Sequence, residues 1–244
     1  MIIEFKKRHP QFVEFFFKRI SPGYYLGLHL TIGLTISSLF IWIFGGITED
    51  VLTGDPFVKV DEWVVARVLY FRSPLVDEIM KILTQLGGGI FLSTASILLI
   101  AFLLLKKDID QASGFTFAMV GGTLLITILK IMIHRLRPPY DQAVVHVGGW
   151  SFPSWHAGMS IIFYGMTVYL LLKRVSSGRL RAFFITLALF IVFIIGFSRI
   201  YLGVHYLSDV IAGFVGGCFW LTVCIAGLEI YDIKKKALEA RMGL

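Results

Sequence analysis

AFFITLALFIVFIIGFSRIYLGVHYLSD, residues 182–209, is the stretch whose reading decides the fold. From about Ala182 to Phe197 it carries no charged side chain, and a bilayer-crossing helix takes roughly 20 mostly apolar residues. The run stops at Ser198 and Arg199. His205 and Asp209 then open a further apolar run, from about Ser208 to Ile230. Ionisable groups at the edge of hydrocarbon are costly unless they are paired or line an aqueous cavity, so helices that meet in this set mark chemistry as well as topology.

Working outward, four more apolar runs repeat the pattern: about Tyr24 to Gly46, Gly88 to Leu105, Ser113 to Ile133 and Ser154 to Leu172. The chain of 244 residues is 57% apolar and only 16% charged, against roughly 45–50% and 25% in soluble domains. The expected fold is all-α and integral to the membrane: a six-helix bundle forming one domain over 1–244, its chemistry built from helix ends and short connections. The first twenty or so residues are amphipathic and polar-rich, unlike a cleavable signal peptide, and the run after them is long enough to stay as an anchor.

Basic residues orient the set. Lys6, Lys7, Arg8, Lys18 and Arg19 precede the first span, and Lys106 and Lys107 follow the second. Lys173, Arg174, Arg179 and Arg181 lie between the fourth and fifth, and Lys234, Lys235, Lys236 and Arg241 follow the last. If the spans alternate, all four clusters share one side, so a cell-membrane protein with both termini cytoplasmic is expected. The net charge of +7 then reports topology and attraction to anionic headgroups. No aromatic-plus-basic soluble module points to nucleic acid. Cys218 and Cys224, six positions apart, fall on different faces of one helix and read as packing residues rather than a disulfide.

The acidic outer connection carries Glu49, Asp50, Asp55, Asp61 and Glu62. Within Thr48 to Leu86, Val60, Trp63, Val64, Arg67, Val68 and Phe71 follow helical spacing, and Trp63 and Tyr70 suit an interface. One or two amphipathic helices on the outer leaflet are expected here, as a lid over the bundle or a guide for lipid access.

Polar groups concentrate at one face. Lys130 sits inside the third apolar run, and Arg137 follows seven positions on, which shares a face with it if the helix continues. Pro138 and Pro139 stop that helix. Ser154 is placed to cap the fourth span, whose free amides make an anion site, and His156 in its first turn could give a proton to a leaving oxygen. Taken alone, Ser154 could simply cap, Trp155 sit in the aromatic belt and His156 be an interfacial polar group. The third cluster adds a nucleophile–orienter pair. Four positions apart on a helix, the Asp209 carboxylate can take the Nδ1 proton of His205 and leave Nε2 free to attack. Arg199 supplies a third cation, and the topology puts all three clusters on the outer face.

Lys130 to Arg137-Pro138, then Pro153-Ser154-Trp155-His156, then Ser198-Arg199 with His205 and Asp209, resembles in order and spacing the three-part signature of the type 2 phosphatidic acid phosphatase superfamily. The resemblance implies a membrane lipid phosphatase that uses no metal or cofactor. His205 would become phosphorylated, Asp209 would stabilise its imidazolium, and His156 would protonate the leaving group and then activate water. Lys130, Arg137, Ser154, Arg199 and the amides around Trp155 would hold the phosphoryl oxygens. With two histidines starting in opposite protonation states, activity should be bell-shaped in pH. The sequence itself offers no convincing carboxylate-rich metal cluster.

The family usually has Gly where this chain has Trp155, an allowed backbone position for Trp whose indole would narrow the pocket or touch the headgroup. Implied substrates are undecaprenyl pyrophosphate, phosphatidic acid, phosphatidylglycerol phosphate or lipid A phosphates on the extracytoplasmic side. A phosphotransferase would use the same residues with a lipid acceptor in place of water. A headgroup-binding transporter would explain the cations but not two histidines and a carboxylate. Of the remaining polar residues, Arg135 and His134 read as solvated interface groups, with a second-phosphate role open for Arg135. His146 and Asp141 read as solvent-facing, and His29 as a helix-packing donor. Thr84, Gln85 and Gly87–Gly89 read as a turn, and Gly213, Gly216 and Gly217 as close helix packing.

Overall fold

The computed structural model describes residues 25–54, 56–139 and 143–242. Lys6, Lys7, Arg8, Lys18, Arg19, Asp55 and Asp141 lie outside the described residues, as do the side chains of His29 and Arg241. Among the described residues there is no strand, and the helices are α1 (Tyr25–Thr53), α2 (Pro56–Tyr70), α3 (Pro74–Gln85), α4 (Gly89–Leu105), α5 (Ile109–Ile133), α6 (Trp155–Leu172), α7 (Gly178–Tyr201) and α8 (Leu207–Met242).

Six stretches are long and apolar enough to cross a membrane: Leu30–Thr53, Pro74–Leu105, Ile109–Ile133, Trp155–Leu172, Gly178–Tyr201 and Leu207–Ala240. They match the six expected runs and mostly extend them. The first continues past Gly46 through Thr48 and Thr53, whose hydroxyls bond carbonyls one turn back. The second gains α3, joined to α4 through a tight turn at Leu86–Gly88 that closes on Leu83, Thr84 and Gln85 carbonyls. Ser73 caps α3 through its Oγ, ahead of Pro74 in the first turn. Large apolar side chains such as Ile90, Leu98, Ile131 and Phe193 are exposed around the bundle, the outside-apolar pattern that a lipid solvent permits.

Within Thr48 to Leu86 the chain forms the end of α1, then α2 and α3, and the face of α2 turned inward is the valine face. Val64 and Val68 pack toward Ala157, Ile200 and Val210, and Asp61 lies buried on that same side. Val60, Trp63, Tyr70 and Phe71 stay exposed, and Arg67 lies over the Trp63 ring at 5.4 Å.

Helix α8 packs along α1 and α6, and α6 also touches α5 and α7. The α6–α8 crossing is close because it has no side chains to separate it. A Cβ at Gly213 would come 2.6 Å from the Ser154 carbonyl, and one at Gly217 would come 2.6 Å from that of Gly158. These contacts are with backbone, which cannot move aside. Gly216 has only Phe44 nearby, at 3.8 Å. Cys218 and Cys224 are both free.

At the end of the bundle away from the histidines, charge is paired across helices. Arg174 meets Asp108 at 2.5 Å, Lys173 meets Asp232 at 2.7 Å, and Lys235 meets Asp110 at 2.6 Å. Three of the basic clusters used to orient the chain therefore do gather at one end.

Candidate active site

The site is assembled from four chain segments. Helix α5 stops at Ile133 because His134 takes a left-handed conformation with φ of 53° and its amide returns to the Lys130 carbonyl. Arg137 is therefore not on the helical face of Lys130, as a continuing helix would have put it. It lies in the connection, and the loop folds back so that both cations still reach the same place. Lys130 Nζ donates to the carbonyls of Trp150 (2.7 Å) and Ser151 (3.1 Å). Arg137 donates to the carbonyls of Gly148, Gly149 and Val204.

His205 stands in the turn before α8 and is 2% exposed. Its Nδ1 lies 3.3 Å from Asp209 Oδ2, and its Nε2 lies 3.2 Å from Arg137 Nη1. A carboxylate only accepts and a guanidinium only donates, so the proton sits on Nδ1 and Nε2 presents its lone pair. Burial holds the imidazole well below its usual range; the nearby charges of Arg199, Arg137 and Lys130 add to this, and the Ser151 carbonyl opposes it. A ring so held is neutral at physiological pH, the form that has a lone pair to offer.

Asp209 does more than orient His205. Its Oδ2 also accepts the Tyr206 amide at 2.9 Å, as a carboxylate at the third helical residue does when it reaches back to the residue before its own helix. Its Oδ1 takes Arg135 Nη1 at 2.6 Å. Arg135 is not a solvated interface cation, because its guanidinium is held among carboxylates. Its Nη2 reaches Asp61 Oδ2 at 2.8 Å, its Nη1 also donates to Ser208 Oγ at 2.6 Å, and its guanidinium stacks 4.3 Å from the Tyr206 ring. Burial opposes its charge, but the Asp209 and Asp61 carboxylates outweigh that and hold it above the ordinary guanidinium range. Asp61 Oδ1 accepts the Ser208 amide at 2.9 Å, and Ser208 Oγ donates to Asp61 Oδ2.

Ser154 caps α6 as expected. Its Oγ receives the Ala157 amide at 3.5 Å, its own amide donates to the Asp209 carbonyl at 2.9 Å, and the residue is fully buried. Trp155 and His156 form the first turn of α6, with rings 5.7 Å apart, edge to face. The indole leans away from the histidine toward α4 and α5. It helps to line an apolar groove of about 340 Å³ together with Leu92, Ser96, Met119, Thr123 and Met159. His156 lies within electrostatic reach of Arg199, Arg137 and Lys130, and a Cβ at Gly87 would stand 3.6 Å from its ring.

Arg199 is only 3% exposed. Its Nη1 donates to Thr84 Oγ1 at 2.9 Å, while its Nε is buried with no partner. Neither Arg199 nor Lys130 forms an ion pair among the described residues. Buried donors are nearly always satisfied, so the unspent Arg199 N–H, in the same group of charges as His205, is a donor that an anion can take. Among the described residues no group of three or more His, Cys, Asp or Glu side chains is arranged to hold a metal ion.

Comparison with known proteins identifies the family. The model of the PAP2 superfamily matches residues 111–229. Phosphatidylglycerophosphatase B of Bacillus subtilis is 32% identical over 160 residues, which cover 64% of this chain and 77% of that one. The chain belongs to the PAP2 superfamily. The lipid A 1-phosphatase of Rhizobium etli is 30% identical over 178 residues, covering 63% and 72% of the two chains. The crystal structure of the transmembrane PAP2-type phosphatidylglycerolphosphate phosphatase from Bacillus subtilis superposes with a TM-score of 0.73 at 25% identity, over 81% of this chain and 96% of that one.

As a PAP2 protein the chain is a multi-pass membrane enzyme of a lipid phosphatase family, a phosphoric monoester hydrolase. The structure brings together His205, Asp209, His156, Lys130, Arg137 and Arg199, with Ser154 as the cap beneath them. Sequence reading missed Asp61, Arg135 and Thr84. For Asp61 there was a signal, because it shares a helical face with Val64 and Val68, and a carboxylate on an apolar face needs a buried partner.

Proposed function

We propose that this PAP2 enzyme hydrolyses the terminal phosphate monoester of a membrane phospholipid, of the phosphatidylglycerol phosphate type, through a phosphohistidine at His205 and without a metal. The observation that carries the reading is the unpartnered Arg199 Nε beside a His205 ring whose Nε2 lone pair is set by Asp209 and Arg137. The relative and the structural neighbour named for phosphatidylglycerophosphate chemistry support the substrate class.

In the first step His205 Nε2 attacks phosphorus in line as the P–O bond to the lipid breaks. The departing alkoxide takes a proton from His156. Arg199, Lys130 and Arg137 hold the non-bridging oxygens, and their value is greatest as charge builds on those oxygens. Asp209 balances the N-phosphorylated imidazolium. In the second step His156, now neutral, removes a proton from water, whose oxygen attacks phosphorus and restores His205 as inorganic phosphate leaves. With the basic clusters at the far end cytoplasmic, the site opens to the extracytoplasmic leaflet and both termini are cytoplasmic.

The test is phosphate release by the purified protein in detergent with EDTA, from phosphatidylglycerol phosphate and from phosphatidic acid, beside His205→Ala. Release that survives EDTA and is lost in the variant is expected, together with an acid-labile, alkali-stable phosphoenzyme in rapidly quenched wild type. Release abolished by EDTA, or retained in His205→Ala, overturns the mechanism.

A further inference from the structure

We propose that Asp61 and Arg135 are positioning residues of the reaction: with Asp209 they form a buried carboxylate–guanidinium–carboxylate bridge that keeps Asp209 ionised and aimed at His205. This rests on the reading of His205 as nucleophile. The claim gives the segment between the first two spans a chemical task, beyond that of a lid or a lipid guide.

Asp209 and Asp61 are both fully buried, and the Arg135 side chain is 12% exposed. A carboxylate so enclosed stays ionised only if it is paired and hydrogen-bonded. His205 cannot do that, since it is neutral in the resting state. Arg135 can, and it does so through Oδ1 at 2.6 Å, which turns the other oxygen, Oδ2, to His205 Nδ1 and the Tyr206 amide. A single hydrogen bond would leave the guanidinium free to swing. Asp61 takes its other nitrogen at 2.8 Å, and Asp61 is itself pinned to the start of α8 by the Ser208 amide and hydroxyl. Ser208, Asp61, Arg135 and Asp209 thus close a ring on the first turn of the helix that carries the orienting carboxylate.

The charge count fits the task. Two carboxylates and one guanidinium carry a net charge of one negative, the charge that a phosphorylated, cationic His205 calls for. Facing the pair from the other elements are Lys130 on α5, Arg137 in the connection, His156 on α6 and Arg199 on α7, all cationic or neutral. Arg135 is the nearest of the cations to Asp209 and also bonds Asp61 and Ser208, so three of its donors are held by the protein.

Kinetics on phosphatidylglycerol phosphate in mixed micelles separate this role from others. Arg135→Gln and Asp61→Asn are expected to lower kcat about 10–100-fold, the scale seen when a partner that orients a working group is lost, with KM unchanged. Arg135→Lys should recover little, because one ammonium cannot bridge Asp61, Ser208 and Asp209 together. In an Asp209→Asn background, Arg135→Gln should cost less than about threefold more, since residues that act through one another are not additive. A raised KM with kcat unchanged would make Arg135 a substrate ligand and overturn the proposal. So would full additivity with Asp209→Asn, which marks a merely structural role, or wild-type kcat in either single variant. If Arg135→Gln does not fold, the near-isosteric Asp61→Asn carries the same expectation, and wild-type kcat there is decisive against it. Activity surviving in His205→Ala would sink the nucleophile reading instead, and is scored separately.

Discussion

Arg199→Met is the substitution on which the site reading is most exposed, because activity and stability should move in opposite directions. Met fills a similar volume without charge. Arg199 is 3% exposed and has one hydrogen bond, to Thr84 Oγ1 at 2.9 Å, with its Nε unsatisfied. Removing one preorganised donor to a developing oxyanion costs about 10²–10³ in kcat, roughly 2.7–4 kcal/mol. Without substrate, the same side chain is a liability, since a buried unsatisfied donor costs about 1–3 kcal/mol. Relieving it raises Tm by about 2–4 °C per kcal/mol for a chain of this size. The assay is phosphate release beside thermal unfolding in detergent, each with and without millimolar inorganic phosphate. Wild type should be stabilised by phosphate, as any ligand of the native state stabilises it, and the variant should lose that gain. The reasoning fails if Arg199→Met keeps activity within threefold of wild type, or if its Tm drops by several degrees. Either result would make Arg199 a structural residue whose loose donor means nothing.

Trp155→Gly removes the indole from the groove lined by Leu92, Met119 and Met159. We expect the ratio of rates on two lipids of different chain number to change by more than about tenfold, the discrimination that a few methylene-sized contacts supply. An unchanged ratio would mean that the indole is only packing. Acid should destabilise the fold through His205. Its imidazole is held neutral in the native state and is ordinary when unfolded, so the unfolded chain binds the extra proton. Stability is then fully present above about pH 6.5 and falls as the pH drops below it, by about 1.4 kcal/mol per unit for one proton. Thermal scans from pH 7.5 to 5 should show the loss, shallower in His205→Asn; identical slopes would refute it. Arg174→Gln breaks the half-exposed pair with Asp108 at the far end. It should cost about 0–1 kcal/mol and leave kcat unchanged; a large kcat loss would mean that this end is coupled to the site.

The contrast between Arg135 and Arg137 shows what the sequence could and could not convey. The motif residues were legible because each sits at the end of an apolar run, and a helix end gives a polar residue a location: Ser154 must cap, and Asp209 must reach back toward the turn before it. The span count was legible for the same reason, hydrophobic length being a one-dimensional property. What fixes Arg135 is different in kind. Its partners are 74 residues away in both directions along the chain, and the Ser208–Asp61 bond spans 147, so no local pattern records them. Two arginines in one short connection look alike by composition. One is paired with two buried carboxylates, while the other keeps a guanidinium nitrogen 3.2 Å from His205 Nε2. The readable clue lay on the acidic side. Asp61, Val64 and Val68 share a face of α2, and since the valines pack inward, the carboxylate had to meet a buried cation from another element. In a membrane enzyme, an acid on the apolar face of a connecting helix is therefore a better pointer to the outer parts of an active site than an extra base beside a motif.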